Sequence, residues 1–151
     1  MMDESQATLE DALVHEVWRL DLCAIQRLLR SGANPNLPGR TWSSAIACAA
    51  ENDATGDIVR LLVANGADVN LQNEQGLTPL HYAVDVAIDG TIQQNRESID
   101  WSVVDVLLEL GAEPNIRDAR GQTVYEIASA YGYNSRRSFD NYMRSRGDSN
   151  S

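Results

Sequence analysis

The stretch VRLLVANGADVNLQNEQGLTPLHYA, residues 59–83, holds the end of one predicted helix, a glycine turn and the start of another helix. Apolar residues at helical spacing precede Gly66, and glycine can end a helix because it adopts the left-handed conformation without a side-chain clash. Thr78 then supplies a cap, and Pro79 stands at the first helical position, where no amide donor is missed. The stretch therefore predicts a helix–turn–helix unit.

The same pattern occurs three times along the chain. Three segments align with one another: LLRSGANPN (28–36), LLVANGADVN (61–70) and LLELGAEPN (107–115). Each ends in an asparagine, and the spacings between these asparagines are 34 and 45 residues. Eight residues after each asparagine stands a hydroxyl residue suited to cap a helix, namely Ser44, Thr78 and Thr123. Thr123 and Glu126 also have the spacing of a capping box. Internal similarity of this kind predicts a stacked repeat architecture.

These segments, and above all GLTPLHYA (76–83), resemble the ankyrin repeat. The resemblance covers about residues 10–133 and implies an all-α repeat fold, a solenoid of about four helix–turn–helix repeats joined by short β-hairpin-like turns. We place the repeats at about 8–36, 37–70, 71–115 and 116–146. This gives a single domain over residues 1–146, followed by a flexible tail at 147–151. Degenerate end repeats are expected, because they cap the stack against water.

The third repeat is about 12 residues longer than the roughly 33-residue ankyrin period. The excess falls within IDGTIQQNRESID (88–100), between the two helices of that repeat. Either Gly90 and Thr91 break the first helix, or that helix continues and ends near Arg96. Long excursions from a compact repeat are usually functional or disordered, which makes the insertion a candidate binding segment.

The charge of the chain is negative and uneven. The net charge is -10, and residues 134–151 carry +2, which leaves -12 on residues 1–133. Such a surface repels phosphate backbones and attracts basic proteins. We therefore expect a protein partner with a basic surface and no direct binding of nucleic acid.

Neither a membrane span nor a secretion signal is predicted. No apolar run approaches the roughly 20 residues that cross a bilayer, and the N-terminus is acidic without a basic segment before an apolar one. The sequence therefore predicts a cytoplasmic protein. Cys23 and Cys48 fit that compartment, and we expect both to be buried free thiols.

Catalytic motifs are not found in the sequence. It has no glycine-rich phosphate loop, no nucleophile elbow and no Cys/His metal set. His81 lies in the TPLH segment, where the resemblance implies hydrogen bonds to neighbouring turns. We therefore expect no enzymatic activity, no cofactor and no metal.

The resemblance implies binding of proteins through a concave surface of turn tips and first-helix residues. The implied turn-tip residues are Arg40, Thr41, Trp42, Glu74, Gln75, Ala119 and Arg120. The implied first-helix residues are Trp18, Arg19, Glu51, Asn52, Asp85, Val86, Ala130 and Tyr131. Asp89 joins Glu51 and Asp85 in a predicted acidic stripe, for which ordinary solvated charge is the alternative interpretation.

The three tryptophans each leave two interpretations open. Trp42 stands where the family usually has glycine, so its ring either sits at a turn tip, where tryptophan favours binding, or folds back beside Leu37. Trp18 is either a partner contact or a core residue. Trp101 lies beside the insertion, and anchoring the insertion onto the stack is favoured over contact with a partner.

Three functions of different classes remain in competition. The leading hypothesis is a stand-alone inhibitor or adaptor, a monomer when free. By analogy with bacterial ankyrin proteins of this size, it acts as an immunity protein that neutralises a basic toxin. The alternative is a structural or assembly protein that oligomerises through the insertion in the third repeat. An enzyme or small-molecule binder is the third class, and no motif favours it.

Overall fold

The computed structural model describes residues 4–38 and 44–149. Within these residues lie eight helices and no β-strand: α1 (Glu4–Trp18), α2 (Leu22–Arg30), α3 (Ala45–Asn52), α4 (Asp57–Ala64), α5 (Pro79–Gln93), α6 (Ser102–Glu109), α7 (Val124–Ala130) and α8 (Tyr133–Ser149).

The helices are arranged as four consecutive pairs. The first helices of the pairs, α1, α3, α5 and α7, pack one on the next along the molecule, and each also packs on the second helix of its own pair. In the middle of the molecule, α4 packs on α6 in a parallel row of second helices. The predicted all-α repeat solenoid is thus confirmed.

The turns and caps follow the chemistry that the sequence predicts. Gly66 has a left-handed φ of 96° after α4, and the Ser44 hydroxyl accepts a hydrogen bond from the Ala47 amide at the start of α3. The Glu126 carboxylate accepts a hydrogen bond of 2.8 Å from the Thr123 amide, which completes the predicted capping box. The starts of α3 and α7 are therefore specified locally.

Short hairpin-like turns precede α5 and α7. The Asn73 amide donates to the Leu77 carbonyl at 3.1 Å, and the Asp118 amide donates to the Gln122 carbonyl at 2.9 Å. A second backbone bond lies inside each turn, from the Gly76 amide to the Asn73 carbonyl and from the Gly121 amide to the Asp118 carbonyl. The turns are therefore short hairpins without extended strands, as the family resemblance implies.

The core lies between the two rows of helices. In α3 the six residues from Ala45 to Ala50 are all buried, since this helix has a neighbour on each side. At the C-terminal end of the stack, the fully buried Phe139 of α8 contacts the ring of Tyr125. Small side chains in the middle and an aromatic at the end give one continuous core.

One of the two cysteine predictions is wrong. Cys48 is buried in α3, as expected, whereas Cys23 is exposed. In α2 the buried residues are Ala24 and Ile25, which face the rest of the stack. Cys23 precedes them on the solvent-facing side of α2, and the matching residues of α4 and α6, Asp57 and Ser102, are exposed as well.

The insertion begins as helix and ends as loop. Helix α5 continues through Gly90 and Thr91 to Gln93, so the interpretation in which these residues break the helix is wrong. Asn95 then adopts a left-handed φ of 50°, and the Arg96 amide donates to the Thr91 carbonyl. Relative to α3 and α7, which have 8 and 7 residues, α5 has 15, and the extra two turns extend it by about 10 Å.

Trp101, at the end of the insertion, is partly buried and packs on the last helix. Its ring lies 5.3 Å from that of Tyr142 in a stacked arrangement and 5.4 Å from that of Phe139. Both partners belong to α8, so the tryptophan joins the end of the insertion to the last helix. This agrees with the anchoring interpretation rather than with a partner contact.

None of the helices in the described ranges, 4–38 and 44–149, is long and apolar enough to cross a membrane.

Candidate functional site

A buried histidine fixes the turns that carry the candidate site. The Thr78 amide donates to His81 Nδ1 at 3.1 Å, so Nδ1 is an acceptor and the proton lies on Nε2. His81 Nε2 then donates to the Gln122 carbonyl at 3.1 Å, in the next repeat. Both ring nitrogens are therefore hydrogen-bonded to backbone groups, which is the predicted structural role.

Turn tips and first-helix residues of the third and fourth repeats meet in one groove. We call this the first-helix groove, and six of its residues define it: Glu74, Gln75, Tyr82, Asp85, Ala119 and Arg120. Its volume is about 420 Å³. The Ala119 amide donates to the Gln75 carbonyl at 2.8 Å, which holds the two turn tips together. Of the predicted partner-binding residues, Glu74, Gln75, Asp85 and Arg120 are thereby brought to one place.

Asp85, a member of the predicted acidic stripe, is bonded to the next repeat. The Tyr131 hydroxyl donates to Asp85 Oδ1 at 2.8 Å, across α7 and α5. Burial raises the pKa of Tyr131, as do that hydrogen bond and the charges of Asp85 and Asp89. Burial, followed by the charge of Asp85, raises the pKa of the Glu51 carboxyl. These groups are therefore close enough for their charges to interact.

No cation neutralises the stripe from within the described part of the chain. Glu51, Asp85 and Asp89 form no ion pair with an arginine there, while other carboxylates do, such as Glu109 with Arg60 at 2.8 Å. The first-helix face therefore presents negative charge that an external cation can neutralise.

A second groove lies between the insertion and the second repeat. We call it the insertion groove, and six of its residues define it: Glu51, Asn52, Ala83, Ala87, Gly90 and Arg96. Its volume is about 240 Å³. The extra turns of α5 form one wall, and the end of α3 forms another. Glu51 and Asn52, which were predicted as partner contacts, belong to this groove rather than to the first-helix groove.

Trp18 and Arg19 lie at the end of α1 and line neither groove. Trp18 is 52% exposed, which rules out the core interpretation for this ring. Arg19 Nη1 lies 4.0 Å from Glu16 Oε1 in an exposed ion pair. Trp18 is one of three exposed apolar residues at the turn between α1 and α2, together with Leu20 and Leu22.

The turn-tip candidates of the second repeat, Arg40, Thr41 and Trp42, fall outside the described residues. Both interpretations of Trp42 therefore remain predictions.

Sequence reasoning missed two residues that shape the grooves. Tyr82 lines the first-helix groove, and its hydroxyl accepts a hydrogen bond from Asn73 Nδ2 at 2.7 Å. Gly90 lines the insertion groove from inside a helix. A signal for Gly90 existed, because a glycine within a helical pattern calls for a packing or functional reason.

In the described ranges, no group of three or more His, Cys, Asp or Glu side chains is placed to hold a metal ion.

Comparison with known proteins identifies the repeat. The family model described as ankyrin repeats (3 copies) matches residues 15–118. Among curated proteins, the putative ankyrin repeat protein YahD of Escherichia coli is 31% identical over 113 residues, which are 75% of this chain and 53% of that protein. The putative ankyrin repeat protein L86 of Acanthamoeba polyphaga mimivirus is 27% identical over 119 residues, 71% of this chain and 20% of that protein.

A human enzyme contains a similar segment. The 2-5A-dependent ribonuclease of Homo sapiens is 40% identical over 77 residues, which are 50% of this chain and 9% of that protein. The chain thus spans about half of one of these relatives and a fifth or less of the other two.

Proposed function

The chain belongs to the ankyrin-repeat family, and from that premise we propose that it is an inhibitor or adaptor that binds a basic protein. Ankyrin repeats are generally protein–protein interaction modules and are typically not catalytic. The observation that carries the proposal is the first-helix groove, where turn tips and helix residues from two repeats form one concave surface. A surface of this kind accepts a folded partner without rearrangement.

The partner's basic character is inferred from charge. Glu74 and Asp85 line the first-helix groove, Asp89 follows Asp85 by one turn of α5, and the charge of Asp85 acts on Glu51. Complementary charge steers association and suppresses wrong partners. The more specific proposal is an immunity protein that neutralises a basic toxin in the cytoplasm, which the net charge of -12 on residues 1–133 supports.

Affinity capture with matched variants tests this proposal. The test variant is Asp85→Asn, which removes one charge from the first-helix groove. The control is Glu113→Gln, which removes one exposed charge from the loop after α6. We expect the wild type and Glu113→Gln to recover the same basic protein in stoichiometric amount, and Asp85→Asn to recover several-fold less. Equal recovery by all three proteins, or recovery of acidic proteins only, contradicts the proposal.

Two tryptophan variants extend the test beyond the groove. Trp18→Ala removes an exposed ring, so we expect an unchanged melting temperature and weaker capture if the binding surface reaches the first repeat. Trp42→Ala is expected to behave in the same way if that residue sits at a turn tip. Unfolding of Trp42→Ala indicates instead that its ring packs locally.

The alternative proposal is assembly through the insertion. Ile92, on the two extra turns of α5, is 56% exposed, and an apolar side chain on a projecting helix favours self-association. Light scattering at tens of micromolar distinguishes the two proposals. The inhibitor proposal predicts a monomer, whereas assembly predicts a dimer or larger species that Ile92→Glu converts to a monomer.

A further inference from the structure

The insertion groove is a feature that the repeat itself does not require. Its floor and walls come from α5, from the end of α3 and from the beginning of α6, and it exists because α5 continues two turns past its neighbours. Ala83, Ala87 and Gly90 follow one another at helical spacing along the α5 wall, which keeps the groove open. Its volume of about 240 Å³ lies below the roughly 300–1,000 Å³ of typical small-molecule pockets, and suits one long side chain.

Gly90 has no structural reason to be glycine. It lies inside α5 with an ordinary helical conformation, and a Cβ atom added there would meet nothing within 4 Å. Glycine within a helix is unfavourable compared with alanine. Since neither backbone conformation nor crowding within the described chain explains it, the open space beside Gly90 is best explained by a group that approaches from outside.

Among the carboxylates that line the groove, only Glu51 accepts no hydrogen bond within the described chain. Asp53 Oδ2 accepts from the Ile58 amide at 2.7 Å, and Asp100 Oδ1 accepts from the Ser102 amide at 3.0 Å. Hydrogen bonds from Ser102 and, after them, the charge of Arg96, the one arginine that lines the groove, lower the pKa of the Asp100 carboxyl. Burial and, after it, the like charge of Asp85 raise the pKa of the Glu51 carboxyl, so an incoming cation relieves an existing repulsion.

We propose that the insertion groove receives an arginine side chain of the partner protein. The aliphatic part of that side chain lies along Ala83, Ala87 and Gly90, and its guanidinium binds the Glu51 carboxylate. Arginine is favoured over lysine because a guanidinium is planar, less strongly hydrated and suited to a partly buried carboxylate. This inference rests on the proposed function, since it names the chemistry that the basic partner contributes.

A titration followed by NMR tests the site without knowledge of the partner. The probe is acetyl-arginine amide, and its control is acetyl-citrulline amide, which has nearly the same shape without the charge. With the arginine probe we expect saturable shifts of the Glu51, Ala87 and Gly90 amide signals, and with the citrulline probe none. Equal shifts with both probes, or arginine-induced shifts spread over the acidic surface with none at Gly90, overturn the proposal.

Three variants test whether the arginine probe binds in the insertion groove. Glu51→Gln removes the charge and should weaken the arginine probe roughly tenfold, whereas Glu113→Gln should leave its affinity unchanged. Gly90→Leu should fill the groove and abolish the shifts at Glu51 and Ala87. Because leucine is a better helix former than glycine, this variant should raise the melting temperature by about 2–4 °C. Loss of binding together with higher stability excludes unfolding as the cause, and unchanged binding overturns the proposal.

The capture experiment separates the two proposals. If Asp85→Asn reduces capture of a basic protein but Gly90→Leu and the arginine probe have no effect, the groove inference fails and the proposed function stands. If the probe binds at Gly90 but the wild type captures no basic protein, the proposed function fails alone.

Discussion

The inter-repeat loops form one edge of the stack and the inter-helix turns form the other. The two edges differ in the hydrogen bonds that join successive repeats. At the inter-repeat loops, which follow each second helix, an asparagine repeats the same contacts. Asn36 Nδ2 donates to the Gly66 carbonyl at 2.9 Å, and its Oδ1 accepts from the Asp68 amide at 2.7 Å. Asn70 makes the equivalent bonds to the loop after α6. Successive repeats are therefore joined here by a ladder of side-chain hydrogen bonds.

At the inter-helix turns, which join the two helices of each repeat, every repeat differs. Each turn contains one residue with a left-handed φ: Leu20, Gly56, Asn95 and Gly132. Among the described residues, no backbone hydrogen bond joins one of these turns to another. This edge can change in length because the hydrogen bonds between repeats do not depend on it. The insertion occurs at this edge.

The largest predicted effect is at the loop edge. Gly76→Val should destabilise the protein by about 3 kcal/mol or more, because a Cβ atom there would lie 2.7 Å from the Ala119 amide nitrogen, next to backbone that cannot move away. Gly121→Val is the matched control. Gly121 has nearly the same φ, 78° against 76°, but open space around it. Its variant should lose only about 1–2 kcal/mol from conformational strain.

Urea denaturation measures both free energies of unfolding. If the two valine variants lose the same stability, the contact between the turns at Gly76 and Ala119 does not contribute to coupling of the third and fourth repeats.

The asparagine ladder should give a smaller effect. Asn36→Ala removes two hydrogen bonds between repeats and should lower the free energy of unfolding by about 1–2 kcal/mol. Asn115 occupies the same position in the third repeat, and its side chain makes neither bond within the described part of the chain. Asn115→Ala should therefore change stability by less than about 0.5 kcal/mol. Equal losses of stability for both variants would show that the asparagine stabilises its own loop, and that its hydrogen bonds to the next repeat contribute nothing.

The sequence predicts the loop edge well because each loop obeys a local rule. Gly66 ends a helix, Thr78 caps one, and Asn70 recurs at the family spacing, so their roles follow from residue type and position. The charge interaction of Glu51 with Asp85 also follows, because the two residues occupy matching positions in successive repeats. Residues that recur at the same position of each repeat therefore have roles that the sequence predicts.

The inter-helix edge could not be predicted to the same degree. Whether α5 ends at Gly90 or continues depends on tertiary contacts, since Ile88 is fully buried beside the glycine and holds the helix in place. The exposure of Cys23 did leave a signal, since the matching positions of the next two repeats carry the polar residues Asp57 and Ser102. The insertion groove needs residues from three helices, and no local pattern brings these together.

A third prediction concerns the irregular edge. Leu20 is 48% exposed and has a left-handed φ of 58°, which is unfavourable for a leucine. Leu20→Gly should raise the free energy of unfolding by about 0.5 kcal/mol, because relief of strain exceeds the entropy cost of glycine. Leu20→Ala keeps the strain and should give no gain. Destabilisation by Leu20→Gly would show instead that packing of the side chain outweighs the strain.

The smallest predicted effect is the pH dependence of the contribution of Glu51 to stability. Burial and the charge of Asp85 raise the pKa of Glu51 in the folded protein, so the folded state disfavours the ionised carboxylate. Protonation of Glu51 therefore stabilises the folded protein. This stabilisation is lost as pH rises from the ordinary glutamate pKa through the raised pKa of Glu51. Above this window Glu51→Gln should be slightly more stable than the wild type, and at lower pH the difference should shrink.

Urea denaturation of both proteins between about pH 4 and pH 7 measures this difference. Asp85→Asn should reduce it, because the second cause of the shift is removed. Saturating acetyl-arginine amide should reduce it as well, since a bound guanidinium favours the ionised carboxylate. A wild type that gains stability relative to Glu51→Gln as pH rises would mean that Glu51 already has a cationic partner within the chain, and the insertion groove would then have no free charge to offer.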